Sequence, residues 1–212
     1  MMRILFIVWT ITIGLCADSF DKAVENYHKG AYIKALDGFY ALAKKGDDKA
    51  QFNVAMMYAN GQGLKANRSE AIRWYERAAK QNNAQAQYNL AQMYHSMGSE
   101  DPHAYEKAKY WYEKAVEGGV KQAYNNLASF YMEGKGAEKS EKKAFELFKK
   151  AANMGDAAAQ VNVALLYAWG EDTVHDKMKA YENLRKALKS GKSEASSYLD
   201  KLCEESAWVC KD

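Results

Sequence analysis

The chain repeats itself. Four nine-residue segments superpose without gaps: AQFNVAMMY from Ala50, AQYNLAQMY from Ala86, AYNNLASFY from Ala123 and AQVNVALLY from Ala159. Their spacings are 36, 37 and 36 residues, and a degenerate copy, ASSYLDKLC, begins 36 residues later at Ala195. A second motif keeps step with the first. KALDGFYALA, EAIRWYERAA, KAKYWYEKAV, KAFELFKKAA and KAYENLRKAL anchor on Ala35, Ala71, Ala108, Ala144 and Ala180, again 36 or 37 apart. A period of this length means one supersecondary unit per repeat. A unit that small buries its apolar face only by stacking on its neighbours.

Inside each motif the apolar residues recur at i, i+3 or i+4, and i+7. Ala50, Val54, Met57 and Tyr58 follow this pattern in the first motif, and Ala71, Trp74, Tyr75 and Ala78 in the second. That is the helical period. Glycines such as Gly46, Gly61, Gly134 and Gly155 follow the periodic stretches, as expected at helix ends. The unit is therefore helix A, a Gly-containing loop, helix B and a tight turn. Paired alanines in helix A (Ala50 and Ala55, and their equivalents) leave room for a neighbouring helix. The fold class is all-α, a right-handed α-α solenoid or superhelix of stacked helix pairs with a concave and a convex surface.

Composition narrows the function. A net charge of +3 implies no nucleic-acid footprint, and 48% hydrophobic with 27% charged residues is a globular balance. The N-terminus, MMRILFIVWTITIGLCADS, reads as an export signal. Arg3 supplies the positive region, and Ile4 to Leu15 is uncharged but shorter than a bilayer span. Cleavage is expected after Cys16 or Ala17, giving a periplasmic or secreted chain with no stable membrane insertion. A lipoprotein anchored at Cys16 is the minor alternative, since Leu15 stands where lipoprotein signals favour a small residue.

The period, the A-x-x-N-[LV]-A-x-x-Y helix and the G-x-G loops of GQGLKANRSEA and GKGAEKSEKKA resemble Sel-like repeats (SLR), relatives of the tetratricopeptide repeats. On this resemblance, residues 1–17 are the signal peptide and 18–46 a tetratricopeptide-like first helix pair. Residues 47–192 form four Sel-like repeats, and 193–212 a C-terminal capping helix. Two loops depart from the pattern: SMGSEDPHAYE, which holds the single proline, Pro102, and AWGEDTVHDKM, which keeps one glycine.

The resemblance also implies a binding face. Asn53, Asn89, Asn126 and Asn162 occupy one position in four consecutive helices A. In tetratricopeptide repeats the matching Asn lies on the concave face and clamps a peptide backbone, for which its amide has both donors and an acceptor. The alternative is that each Asn bonds a neighbouring turn and orders the stack. By the same analogy Phe52 and Tyr88 line the groove, and Met56, Gln92, Ser129 and Leu165 follow on that face. Trp74 and Trp111 are assigned to the core, and Lys142, Lys143, Lys149 and Lys150 to a solvated face.

Catalytic signals are weak. His28, His95, His103 and His175 show no metal-ligand spacing, so no metal and no cofactor are implied. Some cysteine-rich Sel-like repeat proteins carry a β-lactamase label, which makes a weak β-lactamase-like or penicillin-binding activity the alternative function. Two S-x-x-K strings exist, Ser19–Lys22 and Ser140–Lys143, without companion S-D-N or K-T-G motifs. Asn67-Arg68-Ser69 is a glycosylation sequon that matters only in a eukaryotic secretory pathway.

Cys203 and Cys210 are seven apart. On one straight helix their Cα atoms would lie about 10.5 Å apart, whereas a disulfide needs roughly 4.4 to 6.8 Å. A bond therefore predicts that the last helix ends near Ser206 and that the chain folds back to cap the stack. The other reading is two free thiols. The expected function is an exported scaffold or adaptor that binds a protein or peptide on its concave face.

Overall fold

In the computed structural model, the structure describes residues 19–210 except 174, and every regular element among them is helical. Helix α1 spans residues 19–28, and α2 spans Tyr32–Ala43. Four helix pairs follow: α3 (Asp48–Asn60) with α4 (Arg68–Lys80), α5 (Ala84–Met97) with α6 (His103–Glu117), α7 (Lys121–Glu133) with α8 (Glu141–Asn153), and α9 (Ala157–Trp169) with α10 (Lys177–Lys189). Helix α11 (Ala195–Glu205) and a 3-10 turn, Ala207–Cys210, close the described chain. None of these helices is long and apolar enough to cross a membrane. The export signal and Cys16 lie outside the described residues.

Short polar residues start most of the helices. The Asp47 carboxylate accepts from Ala50 N at 2.7 Å, Asn83 Oδ1 from Ala86 N at 2.9 Å, and Asp156 from Ala159 N at 2.9 Å. Asn67, Ser140 and Asp176 do the same for α4, α8 and α10. Each such cap satisfies an orphan N–H and is worth ~1 kcal/mol. Two sequence signals thereby find local roles. Asn67 of the sequon is the cap of α4. Ser140, the serine of one S-x-x-K string, caps α8, while Lys143 of that string lies over the Tyr131 ring, 5.2 Å from its centre.

The chain divides into two compact units, residues up to 90 and residues from 91 on, with the boundary inside α5. In the first, Phe39 packs edge-on to Phe20 at 5.5 Å, and Trp74 to Tyr40 at 5.5 Å. In the second, Phe148 and Leu184 centre two clusters formed by α7 to α9 and by α9 to α11. The paired alanines of helices A are fully buried in both units. Trp74 is buried as expected, but Trp111 is only half-buried, beside an exposed Tyr110.

The G-x-G loops owe their second glycine to a backbone approach. Gly63 (φ +79°) lies where a Cβ would come within 2.8 Å of the Tyr32 backbone, and Gly136 (φ +59°) within 2.6 Å of that of Tyr105. Each loop thus rests on the start of the preceding helix B. Glu141 holds the same place on α8. There the loop lacks the second glycine, and the buried Glu141 carboxylate accepts the N–H groups of Glu171 (3.2 Å) and Asp172 (2.9 Å) instead. The other irregular loop is shortened by helix at both ends, to residues 98–102 between Met97 and His103. Pro102 already has helical angles (φ −55°, ψ −29°) and opens the longer α6, where a missing N–H costs nothing.

Cys203 and Cys210 form a disulfide with Cα atoms 5.7 Å apart. Helix α11 stops at Glu205, and the 3-10 turn returns Val209 into the core.

Candidate functional site

The four asparagines share a register position but not a partner. Asn89 Nδ2 donates to the Tyr75 hydroxyl at 3.1 Å, and Asn126 Nδ2 to the Tyr112 hydroxyl at 3.3 Å. Asn53 Nδ2 turns back to Lys49 O in its own helix at 2.8 Å, and Asn162 Nδ2 reaches Asn125 Oδ1 at 3.2 Å. The reason lies fourteen residues upstream, on the preceding helix B. That position holds Phe39, Tyr75, Tyr112 and Phe148. Where it is tyrosine, the asparagine takes the hydroxyl; where it is phenylalanine, the amide finds another acceptor. Burial pushes the Tyr75 phenol up from its ordinary pKa, with the Asn89 hydrogen bond acting against it.

The remaining groove residues fall out as follows. Phe52 packs on Tyr75 with ring centres 5.8 Å apart, so Phe52 and Asn89 meet on one buried tyrosine. Tyr88 is half-buried, and Gln92 is exposed on α5. In the second unit, Ser129, Asn162 and Leu165 line one recess of about 230 Å³ with Met132 and Phe148. A neighbouring recess of about 390 Å³ shares Met132, Leu165 and Leu166 and runs on to Trp169 and Lys201. Together they make a groove across α7, α9 and α11.

Trp169 and Lys201 were not among the expected residues. The indole donates to Glu205 at 2.7 Å, and the Lys201 ammonium sits over the ring, 4.6 Å from its centre. A signal for Lys201 exists: it is six residues after Ala195, the column of Met56, Gln92, Ser129 and Leu165 carried into the degenerate copy. The lining is thus mixed: Met132, Leu165, Leu166 and Trp169 stand among Ser129, Asn162, the cations Lys139 and Lys201 and the carboxylates Glu133, Glu141 and Glu171. Such a lining suits an extended segment that carries both apolar and polar side chains. No three His, Cys, Asp or Glu side chains among the described residues converge as a metal site.

Comparison with known proteins places the repeats. The family model of the Sel1 repeat matches four times, at residues 48–83, 84–120, 121–156 and 157–192. No curated protein matches the chain. Among solved structures, the chain is similar to a Sel1 repeat protein from Oxalobacter formigenes, with 27% identity and a TM-score of 0.77, covering 92% of this chain and 81% of that one. It also resembles a protective antigen present in uropathogenic Escherichia coli strains that displays an SLR fold, at 21% identity and a TM-score of 0.51. That match covers 92% of this chain and half of the antigen, and speaks to fold alone.

Proposed function

The chain belongs to the Sel1 repeat family, and from that premise we propose that it is an exported, non-catalytic scaffold that binds a protein or peptide in the groove of helices A. The observation that carries this reading is the continuous lining from Ser129 and Asn162 to Trp169 and Lys201. Sel1 repeat proteins are protein-binding scaffolds. Apolar recesses at Leu165 and Met132 take side chains of an extended segment, and the Asn162 amide oxygen accepts a backbone N–H. Asn89 and Asn126, held on tyrosine hydroxyls, order the stack and carry less of the binding. The Cys203–Cys210 bond supports folding in an oxidising compartment, as the N-terminal signal sequence implies.

Selection of random peptides on the immobilised full chain tests the groove. Enriched peptides should weaken on Lys201→Ala and on Asn162→Ala, with the melting temperatures of both proteins close to that of the parent. Peptides that bind both variants as well as the parent would exclude this groove.

A further inference from the structure

The structure carries a second surface, on the other side of α7. Leu127 and Tyr131 lie about half a turn around α7 from Ser129 and Glu133. With Leu147 of α8 they floor a pocket of about 510 Å³, rimmed by Lys142, Lys143 and Glu146. The helix-B column explains the pocket. Three residues after the anchor alanine, α4 and α6 carry Trp74 and Trp111, whereas α8 carries Leu147. In the first unit Trp74 fills its site and is 4% exposed. In α8 the smaller side chain leaves an apolar hollow where α4 and α6 place a tryptophan; α2 and α10 carry Gly38 and Asn183 there.

The chain also presents an unburied tryptophan. Trp208 is 63% exposed. Its short turn is held by the disulfide, by the buried Ser206 and Val209 on either side, and by a 2.6 Å hydrogen bond from Lys177 Nζ to Ser206 Oγ. An indole on a braced turn has only two side-chain torsions to fix on docking, and tryptophan is among the side chains enriched where interfaces concentrate their energy. Exposed Glu204 precedes it, opposite in sign to Lys142 and Lys143 at a pocket rim that also carries Glu146.

We propose that Trp208 of one copy inserts into the Leu127–Tyr131–Leu147 pocket of a second copy, so that the chain self-associates head to tail. The indole takes the place that Trp74 and Trp111 hold on α4 and α6, and Glu204 faces the rim lysines. Knob and pocket lie on different parts of the surface, so the contact is heterologous and each bound copy offers a further pocket. The pocket residues Leu127, Tyr131 and Leu147 are not part of the groove of helices A.

Sedimentation of the full chain with its disulfide formed tests this, at roughly 0.2 mM protein, where a contact with a Kd of ~0.1 mM is populated. The parent should associate, and Trp208→Ala and Leu147→Trp should each sediment as monomers. Leu147→Trp restores the residue of α4 and α6, and unchanged circular dichroism of both variants checks their folding. Mixing the two variants joins the intact pocket of one to the intact tryptophan of the other, and should give a one-to-one complex. Should Leu147→Trp misfold, Lys142→Glu with Lys143→Glu takes its place and should weaken association at least tenfold. A monomeric parent, association undiminished in any folded variant, or a mixture that stays monomeric would overturn the proposal.

Discussion

Tyr75→Phe deletes one acceptor without opening a cavity. Tyr75 is buried, and its hydroxyl receives the Asn89 amide at 3.1 Å. A neutral hydrogen bond is worth ~1 kcal/mol net, and water reaches the half-buried Asn89 donor once it is freed, so the loss is about 0.5 to 1.5 kcal/mol. In a chain of this size ~1 kcal/mol lowers Tm by roughly 2–4 °C. Asn89→Ala breaks the same bond but gains about 0.5 kcal/mol of helix propensity, so its net cost is smaller. The double variant loses the bond only once. Urea unfolding of the four proteins should therefore give a coupling energy of ~1 kcal/mol, and additivity within ~0.3 kcal/mol would refute the pairing. The pH dependence has a definite sign. Burial raises the Tyr75 pKa in the folded state, so its contribution is complete below the unfolded value of about 10 and is lost as pH rises through the folded one. Above pH ~10 the parent should lose stability more steeply than Tyr75→Phe.

Other perturbations separate the remaining structural claims. Gly136→Ala places a Cβ 2.6 Å from the Tyr105 backbone at φ +59°, whereas Gly119→Ala (φ +78°) meets open space. Both incur the left-handed penalty of ~1–2 kcal/mol, and urea unfolding should find Gly136→Ala the costlier by at least another ~1 kcal/mol. Glu141→Gln weakens two charge-assisted bonds to the loop after α9 and should cost about 1–2 kcal/mol. It should also speed amide hydrogen exchange at Glu171 and Asp172, and unchanged exchange there would contradict the assignment. Cys203→Ser with Cys210→Ser removes a short loop closure worth ~2.5 kcal/mol. A Tm that is the same with and without reductant would show that the bond adds nothing to the cap.

The helical pairs and their stacking were legible because period and burial are tied by geometry. A 36-residue spacing with alanines five apart has one good packing solution, and all eight of those alanines are buried. The fold-back after Ser206 was legible for a similar reason, since helical rise and disulfide reach are fixed lengths. The asparagine partners were not. The amide identity says that a partner is needed, but the partner sits on another helix, and only the tyrosine–phenylalanine alternation fourteen residues upstream names it. The groove was half legible. Ser129, Asn162 and Leu165 came from the column, while Lys201 lay hidden in the degenerate copy and Trp169 beyond the motif. Glu141 was unreadable in advance, because its role depends on a loop thirty residues away that lacks a glycine.

The tyrosine–asparagine bonds also limit how such a chain can grow. Tyr75 lies in one repeat and Asn89 in the next, as do Tyr112 and Asn126. Duplication or recombination at a repeat boundary therefore moves the two halves of a bond independently. A copy of the 121–156 repeat placed before Asn89 would set a phenylalanine ring where the hydroxyl had been, and the bond across that boundary would be lost. Repeats of nearly equal length are thus not interchangeable parts: each carries on its second helix a mark that its successor must match. New arrays built from this chain should keep tyrosine-ending repeats ahead of those whose asparagine has no other acceptor.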